Sequence, residues 1–239
     1  MEEIKITTEF IKLGQLLKLT HIISMTKIKE TMNESSTEFD NEFSINNVLY
    51  YPWIGQSYKN TTPKVLVVGE SHYYGSDCEK DEIKKNEIDN NHYFTRECYK
   101  EQFDVFKNIQ AVLSNNLIQN EFIADKIAFY NFFTKCIGYG ARDKQFAKKY
   151  LEESRQNFFK ILTILTPNVV IVLGKSKMWD WMPKNACKIV ENTYYYEQHS
   201  NSKIIHIMHP SAPKSNICDT SKEIKSFFEK NGFFYPLTK

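Results

Sequence analysis

The chain has 239 residues, 41% of them hydrophobic and 14% aromatic, enough to bury one large core and too apolar for global disorder. Its 31 basic residues nearly balance 29 acidic ones, so bulk charge singles out no partner and any nucleic-acid contact must come from a local patch. Five scattered cysteines without a CxxC pair argue against a disulfide framework and against zinc or iron–sulfur sites, and no apolar run approaches the ~18 residues of a membrane span, so a cytosolic (cytoplasmic) protein is expected.

In chain order, residues 8–19 place Phe10, Leu13, Leu16 and Leu17 at helical spacing behind a Thr7 or Thr8 cap. The words ITTEFIKLGQLLKL resemble the opening of small S4-like RNA-binding proteins. The later glycine-rich turn and basic strand of that module are missing, so a docking or packing helix is expected here. Residues 33–47 are polar and read as a linker or loop. An N-terminal helix and linker over 1–47 and an α/β domain over 48–239 follow from this change in pattern.

The β-branched run at 64–69 (KVLVVG) reads as a buried strand, followed by a charged loop at 77–91. Thr95 is placed to cap a helix with Phe103, Phe106, Ile109, Val112 and Leu113 on its apolar face. A second strand follows at 127–131 (IAFYN). A helix over 146–165 keeps Leu151, Phe158, Phe159, Leu162 and Leu165 in register until Pro167 ends it. A third strand at 169–174 (VVIVLG), a short helix around 178–182, a fourth strand at 203–208 (KIIHIM) and an amphipathic helix over 219–229 complete the pattern. Strands of this kind alternating with helices predict an α/β fold of three layers, with a central four-stranded parallel sheet covered on both faces.

Ligands bind beyond the carboxyl ends of such strands. Four words stand there: GESHYYG (69–75), YNFFTKC (130–136), LGKSKMWDW (173–181) and HPSAPKSN (209–216). They bring a carboxylate, an amide, a hydroxyl, two imidazoles and several aromatic planes to one end of the sheet. Neither a P-loop nor GxGxxG is present, which argues against nucleotide hydrolysis and hydride transfer.

Gly69-Glu70-Ser71 after the first strand and His209-Pro210-Ser211-Ala212 after the last resemble the two signature motifs of the uracil-DNA glycosylase superfamily. The first motif reads GQDPYH in one branch and GEAPG in the iron–sulfur branch; the second reads HPSP or HPSA. Asn131 matches the family's base-reading asparagine in order and context, and Leu173-Gly174 a strand-ending LG. The resemblance runs from about Lys64 to Glu229. It implies a cofactor-free and metal-free hydrolase that excises uracil or a modified pyrimidine from DNA, in repair or in defence against modified foreign DNA. DNA is then the partner, its target base extruded because a stacked base cannot be reached.

On that resemblance Asn131 hydrogen-bonds the pyrimidine edge, His209 donates to the carbonyl oxygen on which charge develops, and Glu70 stabilises the cationic sugar, places water or contacts the base. Ser71 occupies the position of one branch's water-activating Asp. Tyr73 or Phe132 stacks on the ring or limits what fits. Backbone amides around Gly69 and Ser211, with Lys214, grip phosphates. His72 replaces the motif's Pro and has no assigned role. The duplex-wedging leucine falls near Pro213 or Lys214, and the cluster cysteines have no counterpart.

Plainer readings stand beside these. Ser71 suits a turn that bonds its own backbone; His72 and His206 suit structural or surface places; Trp179 and Trp181 suit packing. Arg142 and Lys144 suit a solvated helix start, with Arg142 on the strand-end side. Two other functions compete: a non-catalytic nucleobase or nucleic-acid binder on the same fold, and a serine hydrolase built on Gly69-Glu70-Ser71, although Tyr73 takes the place of the second glycine in G-x-S-x-G.

Overall fold

A computed structural model describes residues 34–234 except 102, 114–122, 141, 176 and 214, and leaves out the side chains of 76, 77, 99–101 and 103–107. The expected helix at 8–19, the side chains of Phe103 and Phe106, and Lys214 lie outside the described residues. One compact unit spans Ser35–Lys239. No helix among the described residues is long and apolar enough to cross a membrane.

The described elements are, in order, α1 (Asp40–Ile45), β1 (Trp53–Ile54), β2 (Val65–Gly69), α2 (Glu82–Asn90), α3 (Phe94–Glu101), α4 (Phe103–Leu113), β3 (Ile127–Asn131), α5 (Lys144–Leu165), β4 (Val169–Leu173), β5 (Cys187–Val190), β6 (Thr193–Tyr195), β7 (Lys203–Ile207) and α6 (Ile217–Lys230). The fold is α/β, built on one seven-stranded mixed sheet in the order β1-β3-β2-β4-β7-β6-β5. Its middle four strands, β3, β2, β4 and β7, run parallel. The expected four-stranded sheet is therefore too small: β1 adds an antiparallel edge on one side and the β5–β6 hairpin on the other. These strands have two to four residues, too short for a periodic signal.

Side chains alternate between the faces of a strand. Leu66, Val68, Ala128, Tyr130, Val170, Val172 and Ile204 join a cluster with Phe43 of α1 and Phe158, Ile161, Leu162 and Leu165 of α5. Val65, Val67, Ile127, Phe129, Val169, Ile171, Ile205 and Ile207 join a second cluster with Ile109, Val112 and Leu113 of α4 and Ile224, Phe227 and Phe228 of α6. Every residue of β2, β3 and β4 is buried, as a parallel strand covered on both faces requires.

Helix ends follow local chemistry. Asp143 caps α5 by accepting from the amides of Gln145 and Phe146, and Asn216 caps α6 in the same way. Thr166 turns left-handed (φ 43°) and Pro167 forbids another turn. Four expectations need correction. The charged stretch at 77–91, expected as a loop, holds α2, capped by Asp81 accepting from the amides of Ile83 and Lys84. The polar stretch at 33–47 is more than a linker, because it forms α1 and drives Phe43 fully into the core. Thr95 does not cap a helix; it lies inside α3 with its hydroxyl bonded to His72. The helix expected at 178–182 is a run of i→i+3 turns, with Trp181 and Met182 donating to Met178 and Trp179.

Candidate functional site

The four parallel strands end level with one another. Gly69 pairs with Asn131, and Leu173 with Ile207, while the amide of Gly174 donates to Ile207 at 2.7 Å. Beyond β2 and β3 the two chains stay zipped together. Phe132 and Phe133 donate to the carbonyls of Gly69 and Glu70, Ile137 donates to His72, and Tyr74 donates to Gly138. Asn157 of α5 donates to the Tyr130 hydroxyl at 2.7 Å, and that hydroxyl donates to the carbonyl of Phe132 at 3.1 Å. The loop carrying Glu70 and the turn carrying Asn131 are thus one braced unit.

Glycine is required at 69 because of Asn131. A Cβ there would lie 2.3 Å from Asn131 Oδ1 and 3.0 Å from the Phe129 ring. Asn131 is 7% exposed, and its Nδ2 stands 3.3 Å from Nδ1 and 3.1 Å from Nε2 of His72. His72 is itself buried, with Nε2 3.1 Å from Thr95 Oγ1 and ring edges against Phe94 and Tyr50. Burial pushes the pKa of His72 down to about 3, so the ring is neutral.

Glu70 sits between two partners. Its Oε1 forms a close ion pair with Arg142 Nη2, and its Oε2 accepts from the Tyr73 hydroxyl at 3.1 Å. The ion pair lacks hydrogen-bond alignment at Oε1, and Arg142 Nε is buried without a hydrogen-bond partner. Burial, aided by the Glu70 carboxylate, pushes the Tyr73 phenol up to about 12. Tyr73 stays half-buried at the edge of the α5-side core.

His209 follows β7 by two residues, on a turn held by Ala212 donating to its carbonyl at 2.9 Å. The Ser211 amide donates to His209 Nδ1 at 3.2 Å. A nitrogen that accepts has no proton, so the neutral ring carries its proton on Nε2. No described residue hydrogen-bonds that Nε2. Burial lowers the pKa of His209, and the Glu70 carboxylate partly opposes the shift, so Glu70 lies close enough for its charge to be felt. Asn108 of α4 braces the turn through the Ser211 hydroxyl at 3.1 Å. Pro210 is buried over a small apolar cavity lined by Val67, Ile109, Ile171 and Leu173; Glu70, Asn131 and His209 do not line it.

Several expected roles do not survive. The Ser71 hydroxyl faces the carbonyls of His72 (2.6 Å) and Lys135 (3.3 Å), so it is a turn residue with no imidazole to activate it. That removes it from the catalytic set and leaves the serine-hydrolase reading without a nucleophile. Phe132 has no exposed surface and packs on Phe133 and Phe158, so it cannot meet a base. The Ser211 amide is spent on His209 Nδ1 rather than free for a phosphate. Gly69 acts through its missing side chain.

Two residues gained roles. Arg142 pairs with Glu70 instead of standing in solvent, and His72 takes the structural rather than the surface place, buried against Asn131. The sequence carried one cue for His72, an imidazole inside a motif that elsewhere holds Pro. His206 stacks on Trp179 at 4.8 Å, and Trp181 meets Phe133 edge-on, both as packing. No protein-family model matches this chain, and no curated protein matches it either.

Proposed function

We propose that the chain is a DNA glycosylase that hydrolyses the N-glycosidic bond of uracil or a modified pyrimidine flipped out of DNA, working on a three-layer uracil-DNA glycosylase-like scaffold without cofactor or metal. In that reaction the bond between the sugar carbon and the base breaks with its electrons going to the base. Water then supplies hydroxide to the sugar and a proton to the released base. The transition state is positive on the sugar and negative on the ring. A site for it needs a donor at the ring carbonyl, a carboxylate beside the sugar and an amide on the pyrimidine edge.

The observation that carries the reading is the state of His209. It is a neutral imidazole whose Nδ1 is occupied, so Nε2–H is left as a donor at the strand ends, within electrostatic range of Glu70. Losing one such donor typically costs ~3–4 kcal/mol of transition-state stabilisation. Asn131 supplies an acceptor and a donor from one side chain, the pair that a pyrimidine edge needs. Tyr73 is held by its hydroxyl donating to Glu70 at 3.1 Å. The test is base release from oligonucleotides carrying uracil or modified pyrimidines, followed by alkaline cleavage at abasic sites. Absence of strand breaks across a broad base panel would count against catalysis.

One observation favours a second reading, a nucleobase binder that does not cleave. Both Glu70 oxygens are engaged, by Arg142 and Tyr73, and Ser71 offers no water-activating group. Retention of modified or single-stranded DNA in a gel shift without base release separates that protein from an enzyme.

A further inference from the structure

We propose that Arg142 is a phosphate-operated latch on Glu70: in the free protein its guanidinium holds the carboxylate, and a backbone phosphate of bound DNA draws it away. Glu70 is then released only when DNA is in place. The choice of DNA as partner rests on the function proposed above; the latch itself does not depend on base release.

The geometry is a cluster of three groups on two braced segments. Glu70 Oε1 pairs with Arg142 Nη2, and Glu70 Oε2 accepts from the Tyr73 hydroxyl at 3.1 Å. Burial raises the Tyr73 pKa, Glu70 adds to the rise and Arg142 opposes it, so the three are mutual neighbours. The segments are stitched together: the Tyr74 amide donates to the carbonyl of Gly138 and the Gly140 amide to that of Tyr74, each at 2.9 Å. A change of partner is therefore a swing of the Arg142 side chain, not of its loop.

The pair is built to open. Glu70 Oε1 and Arg142 Nε are both buried without a hydrogen-bond partner among the described residues. A guanidinium offers Nε and Nη2 as one flat edge matched to two oxygens of a carboxylate or a phosphate. Only Nη2 of that edge meets Glu70, and the contact leaves a buried donor and a buried acceptor unpaired, which is costly. A phosphate diester has two anionic oxygens and fills both donors of the edge. The amides of Gln145 and Phe146, at the start of α5, are already spent on Asp143, which leaves the guanidinium as the anion receptor of this turn. When Arg142 leaves, the Tyr73 hydroxyl still holds Oε2 and keeps the carboxylate in place.

A carboxylate paired with a guanidinium does little for a positive sugar, because the two charges largely cancel. Unpaired, it acts with its full charge. The engagement of both Glu70 oxygens, which favours a binder that does not cleave, is on this scheme the resting state of an enzyme. Arg142 touches no reacting atom. It is a positioning residue.

The test measures binding of the full chain to a fluorescein-labelled single-stranded oligonucleotide with a tetrahydrofuran abasic site, which has phosphates and no base to release at that position. Anisotropy is read over a range of salt concentrations, and thermal unfolding checks each variant. The slope of log affinity against log salt is expected to become shallower by about 0.7 in Arg142→Gln, the amount for one single-strand phosphate. Lysine keeps the charge and loses the flat edge, so Arg142→Lys should keep the slope and bind about threefold more weakly. Glu70 competes with the phosphate for Arg142. Glu70→Gln should therefore bind about threefold tighter, and that gain should vanish when Arg142→Gln is added. The ¹⁵Nε resonance of Arg142 should shift with the oligonucleotide and not with an equal concentration of inorganic phosphate. Equal slopes in wild type and Arg142→Gln, full affinity in Arg142→Lys, a Glu70→Gln gain that persists in the double variant, or an equal shift by inorganic phosphate overturns the proposal. So does failure of the wild type to bind. Slopes and gains as expected, with no base released from any uracil or modified-pyrimidine oligonucleotide, would remove the glycosylase reading and leave the latch standing.

Discussion

At the scale of single residues, the strand-end site is a set of polar side chains whose orientations are fixed by neighbours. Gly69 shows this most simply. In Gly69→Ala the new methyl group would sit 2.3 Å from Asn131 Oδ1, so the carboxamide must move. The expected result is a fall in base release of at least tenfold, with a stability loss of about 1–3 kcal/mol of the kind that overpacking causes. Kinetics and urea denaturation on the same preparation measure both.

Glu70 acts on His209 through charge. The Glu70 carboxylate raises the His209 pKa against the lowering effect of burial. In Glu70→Gln that support is gone and the His209 pKa falls further, which an NMR titration of the ring reads directly. If neutral His209 is the active donor, the acid limb of the rate profile moves to lower pH in that variant. His72 carries a separate pH signature in stability. Its folded pKa of about 3 lies below the ordinary histidine value of about 6.5, so between those values the unfolded chain binds a proton that the folded chain does not. Stability is therefore complete above pH 6.5 and declines as pH falls toward 3, by up to about 1.4 kcal/mol per pH unit. Replacing His72 by Gln should flatten that decline, as measured by denaturation at pH 7 and pH 5.

At the scale of elements, legibility depended on length and on whether an element used one strong local rule. The four β-branched strands and α5, with its Pro167 stop, were legible because burial on both faces and helix termination leave clear marks, whereas the Asp143 cap emerges only in the structure. The segment α1 was not, because six residues show too little periodicity to stand out from a polar stretch, and one buried Phe decides its place. Phe43→Ala is accordingly expected to cost about 3–5 kcal/mol, as for a large aromatic lost from a packed core. A loss below 1 kcal/mol in thermal or denaturant unfolding would mean that α1 is not part of the cooperative core. Thr95 failed for another reason. Its residue type suits a cap, but a tertiary bond to His72 outcompetes that local use.

At the scale of the whole molecule, the candidate site lies at one end of the sheet because four parallel strands terminate level there. Glu70 and His209 were legible as candidates from their position after strands and the motifs around them, and Asn131 from the end of β3. The Arg142–Glu70 pair and the His72–Asn131 contact were not, since they join residues 72 and 59 apart along the chain, distances at which local pattern says nothing. Phe132 shows the opposite error, an aromatic beside the site whose side chain turns into the core. With a formal charge of only +2, the DNA contact that the proposed function calls for falls to local groups rather than to bulk charge, and its salt dependence is expected to follow those groups.

The central claim is that neutral His209 and Asn131 act together on an extruded pyrimidine. The most direct measurement is single-turnover base release from a panel of uracil- and modified-pyrimidine oligonucleotides by wild type, His209→Ala and Asn131→Ala. Wild type should release at least one base, and each variant should be slowed at least tenfold while remaining folded. Release at equal rates by all three proteins, or by none of them, would contradict the account.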